Sequence, residues 1–136
     1  MEAALLQRLR ESAGVIAVAG TFNDEPAIDF DERKSDDSSA FPAAIQSLVA
    51  PGPIYDQDGR GGTQQALMRW ECMALDPDGA FALAKAIVAE LEGSATVAGV
   101  RFGRGFLQFE RTFPPETVGE QAIYRRIVDL EITANY

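Results

Sequence analysis

The sequence predicts a single α+β domain over residues 1–136, with a mostly antiparallel sheet packed by two helices and a long C-terminal β-hairpin. A chain of 136 residues has the length of one domain and can bury a core. Apolar residues make up 46% and charged residues 24%, as in an ordinary globular protein. Because strand and helix patterns do not alternate regularly, a doubly wound parallel sheet is disfavoured.

The first predicted element is a short helix near the N-terminus. Its apolar face is formed by three leucines at helical spacing: Leu5, Leu6 and Leu9. Ser12 and Gly14 mark its end. The following segment, 21–39, is rich in Asp, Glu and Ser, and it predicts at most one short strand, at 27–32.

Two strands are predicted in the middle of the chain. The first covers 41–49 and is stopped by Pro51-Gly52-Pro53, after which a polar loop is expected at 56–65. The second covers 67–75 and is apolar enough to be largely buried. Its inward side is predicted to carry Met68, Trp70, Cys72 and Ala74.

The second helix has the clearest local signals in the chain. Asp76 is a good N-cap, Pro77 suits the first helical position, and Gly93 ends the helix. Glu90 and Glu92 lie near the negative end of the helix dipole, so tertiary contacts or a cationic partner are expected to offset their charge; otherwise the last turn frays. The predicted apolar face consists of Phe81, Ala84, Ile87, Val88 and Leu91.

The last third of the chain predicts the long hairpin. One arm covers 97–113, the connection covers 114–121, and the second arm covers 122–134. Arg126 falls on the apolar side of the second arm, and it therefore needs a carboxylate or carbonyl partner. The apolar residues of that side are Tyr124, Val128, Leu130 and Ile132.

Composition favours a protein that binds other protein chains over an enzyme. The chain has no histidine, which excludes Ser-His and Cys-His catalysis and histidine metal ligands. Its formal net charge of -9 is opposite to that of a typical free-standing nucleic-acid binder. Cys72 is the only thiol and is predicted to be a buried structural residue. We therefore expect no catalytic residue, cofactor or metal.

The cellular context can also be predicted. A single cysteine permits no disulfide within the chain, which favours a cytosolic setting. The N-terminus lacks the order of charges of a signal peptide, and no apolar run approaches the length of about 20 residues that a membrane span needs. No contact with a membrane is expected.

Three Asp-x-Asp pairs occur, at Asp29/Asp31, Asp56/Asp58 and Asp76/Asp78. The third is explained by the helix cap. The second is followed by Gly59 as in a calcium loop, but the closing glutamate at the required spacing is missing. The sequence Gly59-Arg60-Gly61-Gly62-Thr63 lacks the lysine of a phosphate-binding loop, so a flexible loop is the preferred interpretation.

Several motifs follow one another in a fixed order in the second half of the chain. A strand enters the capped helix, which ends at Leu91-Glu92-Gly93, and then come Glu110-Arg111, Pro115-Glu116 and the closing strand Tyr124-Arg125-Arg126-Ile127-Val128-Asp129-Leu130. In this order the chain resembles the tail-completion, or tail-terminator, family of long-tailed bacteriophages and gene transfer agents. The N-terminal helix and Phe41-Pro42 extend the resemblance over the whole chain.

The resemblance implies a structural protein of a virion or virus-like particle, placed at the tail end nearest the head and assembled in the host cytoplasm. It implies a ring of copies of the chain, usually six, that ends the tail tube and joins it to a head-side connector protein. It brings no catalytic residue and no cofactor. DNA would pass through the lumen of the ring without specific binding.

An acidic lumen is a further expectation of this resemblance. A ring of copies with -9 each would repel DNA and let it pass without adhering. The segments 21–39 and 51–65 depart most from the family pattern, and partner specificity is expected there. The residues predicted to line the lumen or to contact a partner are Asp29, Asp31, Asp56, Asp58 and Arg60.

Three alternatives stay open from the sequence. A head–tail connector or neck subunit of the same particle would also form a ring. A small carboxylate- or metal-dependent hydrolase could use the Asp pairs, and stoichiometric divalent metal or a deep carboxylate-lined pocket would favour it. A monomeric ligand-binding domain would be separated from a ring by light scattering.

Overall fold

A computed structural model describes residues 1–35, 37–56 and 59–135 of the chain, with side chains described outside 51–62. The helices are α1 (Glu2–Glu11), α2 (Ala13–Ile16) and α3 (Pro77–Leu91), with a 3-10 turn at Ser38–Ala40. The strands are β1 (Thr21–Phe22), β2 (Glu25–Pro26), β3 (Ile28–Phe30), β4 (Ala43–Asp56), β5 (Gly59–Ala74), β6 (Ala95–Val97), β7 (Val100–Phe102), β8 (Phe106–Val118) and β9 (Gln121–Asn135).

The strands confirm the predicted α+β class. In the described part of the chain, seven strands form one sheet in the order β3-β4-β5-β9-β7-β6, and β8 also pairs with β9. Strands β1 and β2 form a separate small pair. Within the sheet described, β3 and β4 run parallel and the other neighbours run antiparallel. The predicted C-terminal hairpin is β8–β9.

The core lies between one face of the sheet and the helices. The predicted inward side of β5 is confirmed, because Met68, Trp70, Cys72 and Ala74 are all buried. They alternate with residues of the other face, where Arg69 and Glu71 are partly exposed and Met73 is buried in a second, smaller apolar cluster. The side chains of α1 and α3 that complete the core are Leu5, Leu6, Leu9, Leu83, Ala84, Ile87 and Leu91.

The predicted start of α3 is confirmed in detail. The Asp76 side chain accepts a hydrogen bond from the Gly79 backbone N–H at 2.6 Å, and proline occupies the first turn. Such a cap satisfies one of the N–H groups that have no partner inside the helix. The N-terminal helix also ends as predicted, since α1 stops at Glu11 and the Ser12 side chain caps α2.

The expected cationic partner at the end of α3 is Arg8 from α1. Its guanidinium is 3% exposed and donates from Nη2 to the backbone oxygens of Glu90 at 2.6 Å and Gly93 at 2.9 Å. Its Nε also donates to the Glu90 carboxylate at 3.3 Å. The charge therefore lies at the negative end of the helix dipole and ties α1 to α3.

The prediction that strand pairing stops at Pro51-Gly52-Pro53 is wrong. Strand β4 continues to Asp56, with Pro51 opposite Ala66 and Pro53 opposite Gln64. Prolines are tolerated at this place because β3 ends beside Gln46, so that β4 is an edge strand from there on. Two register shifts, between Leu48 and Ala50 and between Pro53 and Tyr55, absorb the irregularity.

The polar loop predicted at 56–65 is correspondingly replaced by strand. β5 begins at Gly59, and its first residues pair with β4 and, from Thr63 on, with β9. The strand is therefore defined by its backbone pairing, which a stretch rich in glycine and polar residues does not predict.

The arm predicted at 97–113, where Gly99, Gly103 and Gly105 suggest a kink or a bulge, is divided between β6, β7 and β8. The chain turns at Ala98 and Gly99, whose φ angles of 51° and 80° lie in the left-handed region, and this turn separates β6 from β7. A second break at Gly105 brings the backbone against α3: the Gly105 N–H donates to Leu91 O at 2.7 Å, and a Cβ atom there would lie 2.6 Å from that oxygen. Glycine is therefore required at position 105.

The connection predicted at 114–121 is shorter than expected. Strand β8 continues to Val118, and the turn lies at Gly119 and Glu120. Two prolines are accommodated because β8 is an edge strand, and the register shifts between Phe113 and Glu116.

Candidate functional site

The two faces of the sheet differ, and the face away from α1 and α3, called here the open face, carries ion pairs. Arg69 donates from Nε and Nη2 to the two carboxylate oxygens of Asp129, at 2.8 and 3.0 Å. These hydrogen bonds raise the pKa of Arg69 above its ordinary value. Arg125 donates to Glu71 at 2.6 Å. The charges of the open face are thus paired across neighbouring strands.

Strand β8 is an edge of the sheet and is exposed along nearly its whole length. It pairs with β9 on one side, and no described strand pairs with its other side. Phe106 is 61% exposed, and Leu107 and Phe109 are each 40% exposed. A free edge with large apolar side chains favours association with another chain. These three residues are called the β8 edge patch.

The opposite edge of the sheet also has an exposed apolar part. Strand β3 covers β4 only from Ala44 to Gln46, so β4 is itself the edge from Ser47 on. Leu48 is 40% exposed and Val49 is 42% exposed. These two residues are called the β4 edge patch.

The two edge patches were not singled out by the sequence. A signal was nevertheless present, because Phe106 and Leu107 are adjacent in a strand and must point to opposite faces. Apolar side chains on both faces are typical of a strand that is covered on both sides. In β8 of the isolated chain both Phe106 and Leu107 are exposed, which makes this strand a candidate contact surface.

A groove runs between α3 and the β8–β9 hairpin. Two adjoining cavities of about 340 and 240 Å³ share Phe81 and Arg126 in their walls. The expectation that Phe81 lies in the core is wrong, because it is 49% exposed. The strand opposite it presents Arg126, whose guanidinium lies 5.0 Å from the centre of the Phe81 ring.

The carboxylate partner expected for Arg126 is Glu110. Nη2 of Arg126 lies 2.7 Å from Glu110 Oε1, and its Nη1 donates to Thr112 Oγ1 at 2.6 Å. Both partners lie on β8, so this network fixes the edge strand to β9 on the side of the groove. The charge of Glu110 is therefore satisfied within the chain.

The structure separates the five predicted site residues. Asp29 lies in β3, is 14% exposed at its side chain, and accepts from Arg10 Nη2 at 3.0 Å. Asp31 follows β3, is exposed, and has a left-handed φ of 59°. Its backbone N–H donates to Gln46 O at 3.2 Å, which holds it beside the free edge of β4.

Two more predicted site residues, Asp56 and Arg60, lie at the end of β4 and the start of β5. Asp56 pairs with Gly59 and Arg60 pairs with Tyr55 through the backbone. Asp58 lies outside the described residues. Asp56 follows Gln46 by ten residues, which is about 33 Å along a strand at 3.3 Å per residue. The two acidic segments are therefore not brought together within one chain.

The predicted burial of Cys72 is confirmed. Its side chain is 0% exposed, and burial raises the pKa of the thiol well above its ordinary value. The thiolate is the reactive form of cysteine, so burial slows its reactions both by blocking access and by disfavouring ionisation.

We expect iodoacetamide at pH 8 to leave the folded protein unmodified and to label Cys72 fully in denaturant, as measured by mass spectrometry. Rapid labelling of the folded chain would contradict this placement.

The described residues contain neither a cluster of metal ligands nor a membrane-spanning helix. No group of three or more Cys, Asp or Glu side chains there is placed so that it could hold a metal ion. No helix in that part of the chain is both long and apolar enough to cross a membrane.

Comparisons with known proteins find likeness in fold. No protein-family model and no curated protein matches the sequence. The full length of the chain aligns with 95% of a chain from the virion of a native gene transfer agent particle, at a TM-score of 0.67 and 18% identity. A second solved structure is similar over 98% of this chain and 92% of the other chain, at a TM-score of 0.52 and 15% identity. The chain thus shares its fold with a component of a gene transfer agent virion.

Proposed function

We propose that this chain is a structural protein of a tailed phage or gene transfer agent particle. In this proposal its copies form a ring of six that ends the tail tube and joins it to the head-side connector. The ring would assemble in the host cytoplasm and lie at the end of the tail nearest the head. The full-length fold likeness to a virion chain supports the general role, and the placement of the two long hairpins supports the specific one.

The hairpins project from opposite ends of the sheet, and this observation carries the proposal. The last β5–β9 pair at one end is Thr63↔Asn135, and β4–β5 pairing continues past it to Asp56↔Gly59. At the other end the last β5–β9 pair is Ala74↔Tyr124, and β8–β9 pairing continues to Val118↔Gln121. If the strands run along the axis of the ring, one set of hairpins points towards the tail tube and the other set points towards the connector.

A protein that joins two structures needs two different contact surfaces on opposite sides. The β4–β5 hairpin and the β8–β9 hairpin differ in sequence, and they point in opposite directions along the strands. One set of six can therefore bind the tail tube while the other binds the connector. We assign Asp56 and Arg60, at the end of β4 and the start of β5, to such a partner contact, and from its place in the sequence also Asp58.

An acidic lumen belongs to the same proposal. Each copy brings a net charge of -9, so the ring repels DNA and lets it pass. Asp31 is exposed and can face either the lumen or a neighbouring copy, whereas the charge of Asp29 is paired with Arg10. A reconstruction of the ring with a neutral or basic channel would contradict this part of the proposal.

The test is an electron micrograph of particles made without this chain. A terminator is expected to leave overlong or unattached tails, because nothing stops the tube or joins it to the head. Supplying the chain in trans is the control and should restore tails of uniform length. Tails of normal length that are merely unattached would favour a neck subunit instead. Normal, attached tails would overturn the structural role altogether.

A further inference from the structure

The two edge patches lie in the same rows of the sheet. Leu48 pairs with Met68, Met68 pairs with Leu130, and Leu130 pairs with Leu107. Residues directly opposite each other in antiparallel strands point to the same face. Leu48 and Leu107 therefore lie at the same height and on the same face, at opposite edges of one sheet.

The neighbouring rows extend this match. Ala50 is connected through β5 and β9 to Phe106, and Ser47 is connected in the same way to Phe109. Val49 lies between these rows, at the register shift of β4. The whole β8 edge patch is thus level with the whole β4 edge patch, and both are exposed in the isolated chain.

The directions of the strands suit a contact between copies. Strands β4, β5, β9 and β8 are successively antiparallel, so β8 runs opposite to β4. Rotation about an axis parallel to the strands keeps every direction and every height unchanged. Such a rotation therefore brings β8 of one copy beside β4 of the next as an antiparallel neighbour, patch against patch.

The charges beside the two patches are complementary. The side of β7 and β8 has three exposed arginines, which are Arg101, Arg104 and Arg111. Glu110, next to them, is already paired with Arg126. Beside the free edge of β4 lie the exposed carboxylates of Asp31 and Glu32, and Glu32 is paired with Lys34 at 3.7 Å within the chain. Glu116, further along β8, is exposed as well, so the complementary pair at this contact is Arg111 beside the β8 edge patch and Asp31 beside the β4 edge patch.

From these observations we propose that the β8 edge patch of one copy packs on the β4 edge patch of the next copy. In this contact Leu107 packs on Leu48, and Phe106 and Phe109 pack around Val49. Arg111 of one copy faces Asp31 of the next. The proposal rests on the proposed function, because it specifies how the ring closes. The contact is head-to-tail, so each copy uses two different edges and a closed ring leaves neither exposed.

Disulfide cross-linking tests the contact. The variant carrying Leu48→Cys and Leu107→Cys is oxidised as purified chain and in assembled particles, and it is analysed on non-reducing gels. We expect a ladder up to the full ring, which collapses on reduction, because a disulfide requires Cβ atoms only about 4 Å apart. Cys72 is buried and does not contribute. Each single variant should give no species beyond a dimer.

A matched control carries Ile16→Cys with Leu107→Cys. Ile16 is 51% exposed, more than Leu48, but lies outside both patches. This control should give no ladder. A ladder in the control, or none in the test variant in either preparation, would overturn the proposed contact.

Mixing two variants, each with one edge patch disrupted, gives a second, independent test of the contact. A chain with Leu48→Asp and Val49→Asp and a chain with Phe106→Asp and Leu107→Asp should each stay monomeric, while their mixture forms a dimer and nothing larger. If both variants still form rings, the contact is wrong although the structural role stands. If the ladder forms but particles lacking the chain have normal tails, the contact stands and the role in tails falls.

Discussion

Replacing Trp70 by alanine is expected to lower the free energy of unfolding by about 4 kcal/mol, in the range of large-to-small substitutions in protein cores. Trp70 is fully buried and lies on β5, which is paired on both sides, with Gln46 and Val128 directly opposite. The helices cover it from one face of the sheet. The cavity left by alanine is enclosed by rigid elements, so it cannot collapse.

The hydrogen bond of Trp70 provides a control for this prediction. The indole N–H donates to Gln46 Oε1 at 3.1 Å, and the Gln46 Nε2 donates to Glu2 O at 2.9 Å. Trp70→Phe keeps most of the apolar contacts but leaves the buried Gln46 oxygen without its donor, which costs about 1–3 kcal/mol. Urea unfolding followed by circular dichroism measures both variants. A loss below 1 kcal/mol for alanine would contradict the central placement of Trp70.

The parts of the fold that the sequence predicts well are those whose cause is local. The cap of α3 depends on Asp76 and Pro77, which are adjacent to the helix that they start. The inward side of β5 follows from strict alternation around Trp70. The need of Arg126 for a carboxylate follows from its side of the strand, although the identity of the partner, Glu110, does not.

The parts that the sequence misses depend on strand order. Prolines such as Pro51 and Pro53 would interrupt a central strand, but an edge strand tolerates them. The sequence near these prolines does not show that β3 stops beside Gln46 and leaves β4 at the edge. Phe81 fits a helical apolar face, yet it is exposed because the strand opposite presents Arg126. In each case the decisive neighbour is distant in sequence.

The candidate surface is hard to predict for the same reason. Exposed apolar residues such as Leu48 and Leu107 resemble core residues in the sequence, and only the sheet shows that they lie at its two free edges. The acidic segments stand out more in the sequence, but the structure pairs Asp29 with Arg10 within the chain. The acidic residues are therefore easier to notice in the sequence, but the free strand edges define the candidate contact surface more narrowly.

The second large effect is expected at Arg8, where alanine should lower the free energy of unfolding by about 3 kcal/mol, as for a buried hydrogen-bonded charge. Its guanidinium serves two backbone oxygens at the end of α3 and lies 5.7 Å from the Phe102 ring centre. Without it, the carbonyls of Glu90 and Gly93 lose a charged donor, and the link between α1 and the end of α3 is lost. The last turn of α3 then keeps its own backbone bonds and the hydrogen bonds from the Gly105 N–H to Leu91 O and from Arg104 to Glu92 O.

Arg104 is the matched control, because it also donates to this turn, to Glu92 O at 3.3 Å, but from an exposed position. Arg104→Ala should change stability by no more than about 0.5 kcal/mol, as is usual for surface substitutions. Hydrogen exchange distinguishes the two cases further: Arg8→Ala should accelerate exchange in the last turn of α3 beyond the global change, whereas Arg104→Ala should not. Equal effects of the two variants would mean that the negative end of the helix, not the buried bridge from α1, accounts for the stabilisation.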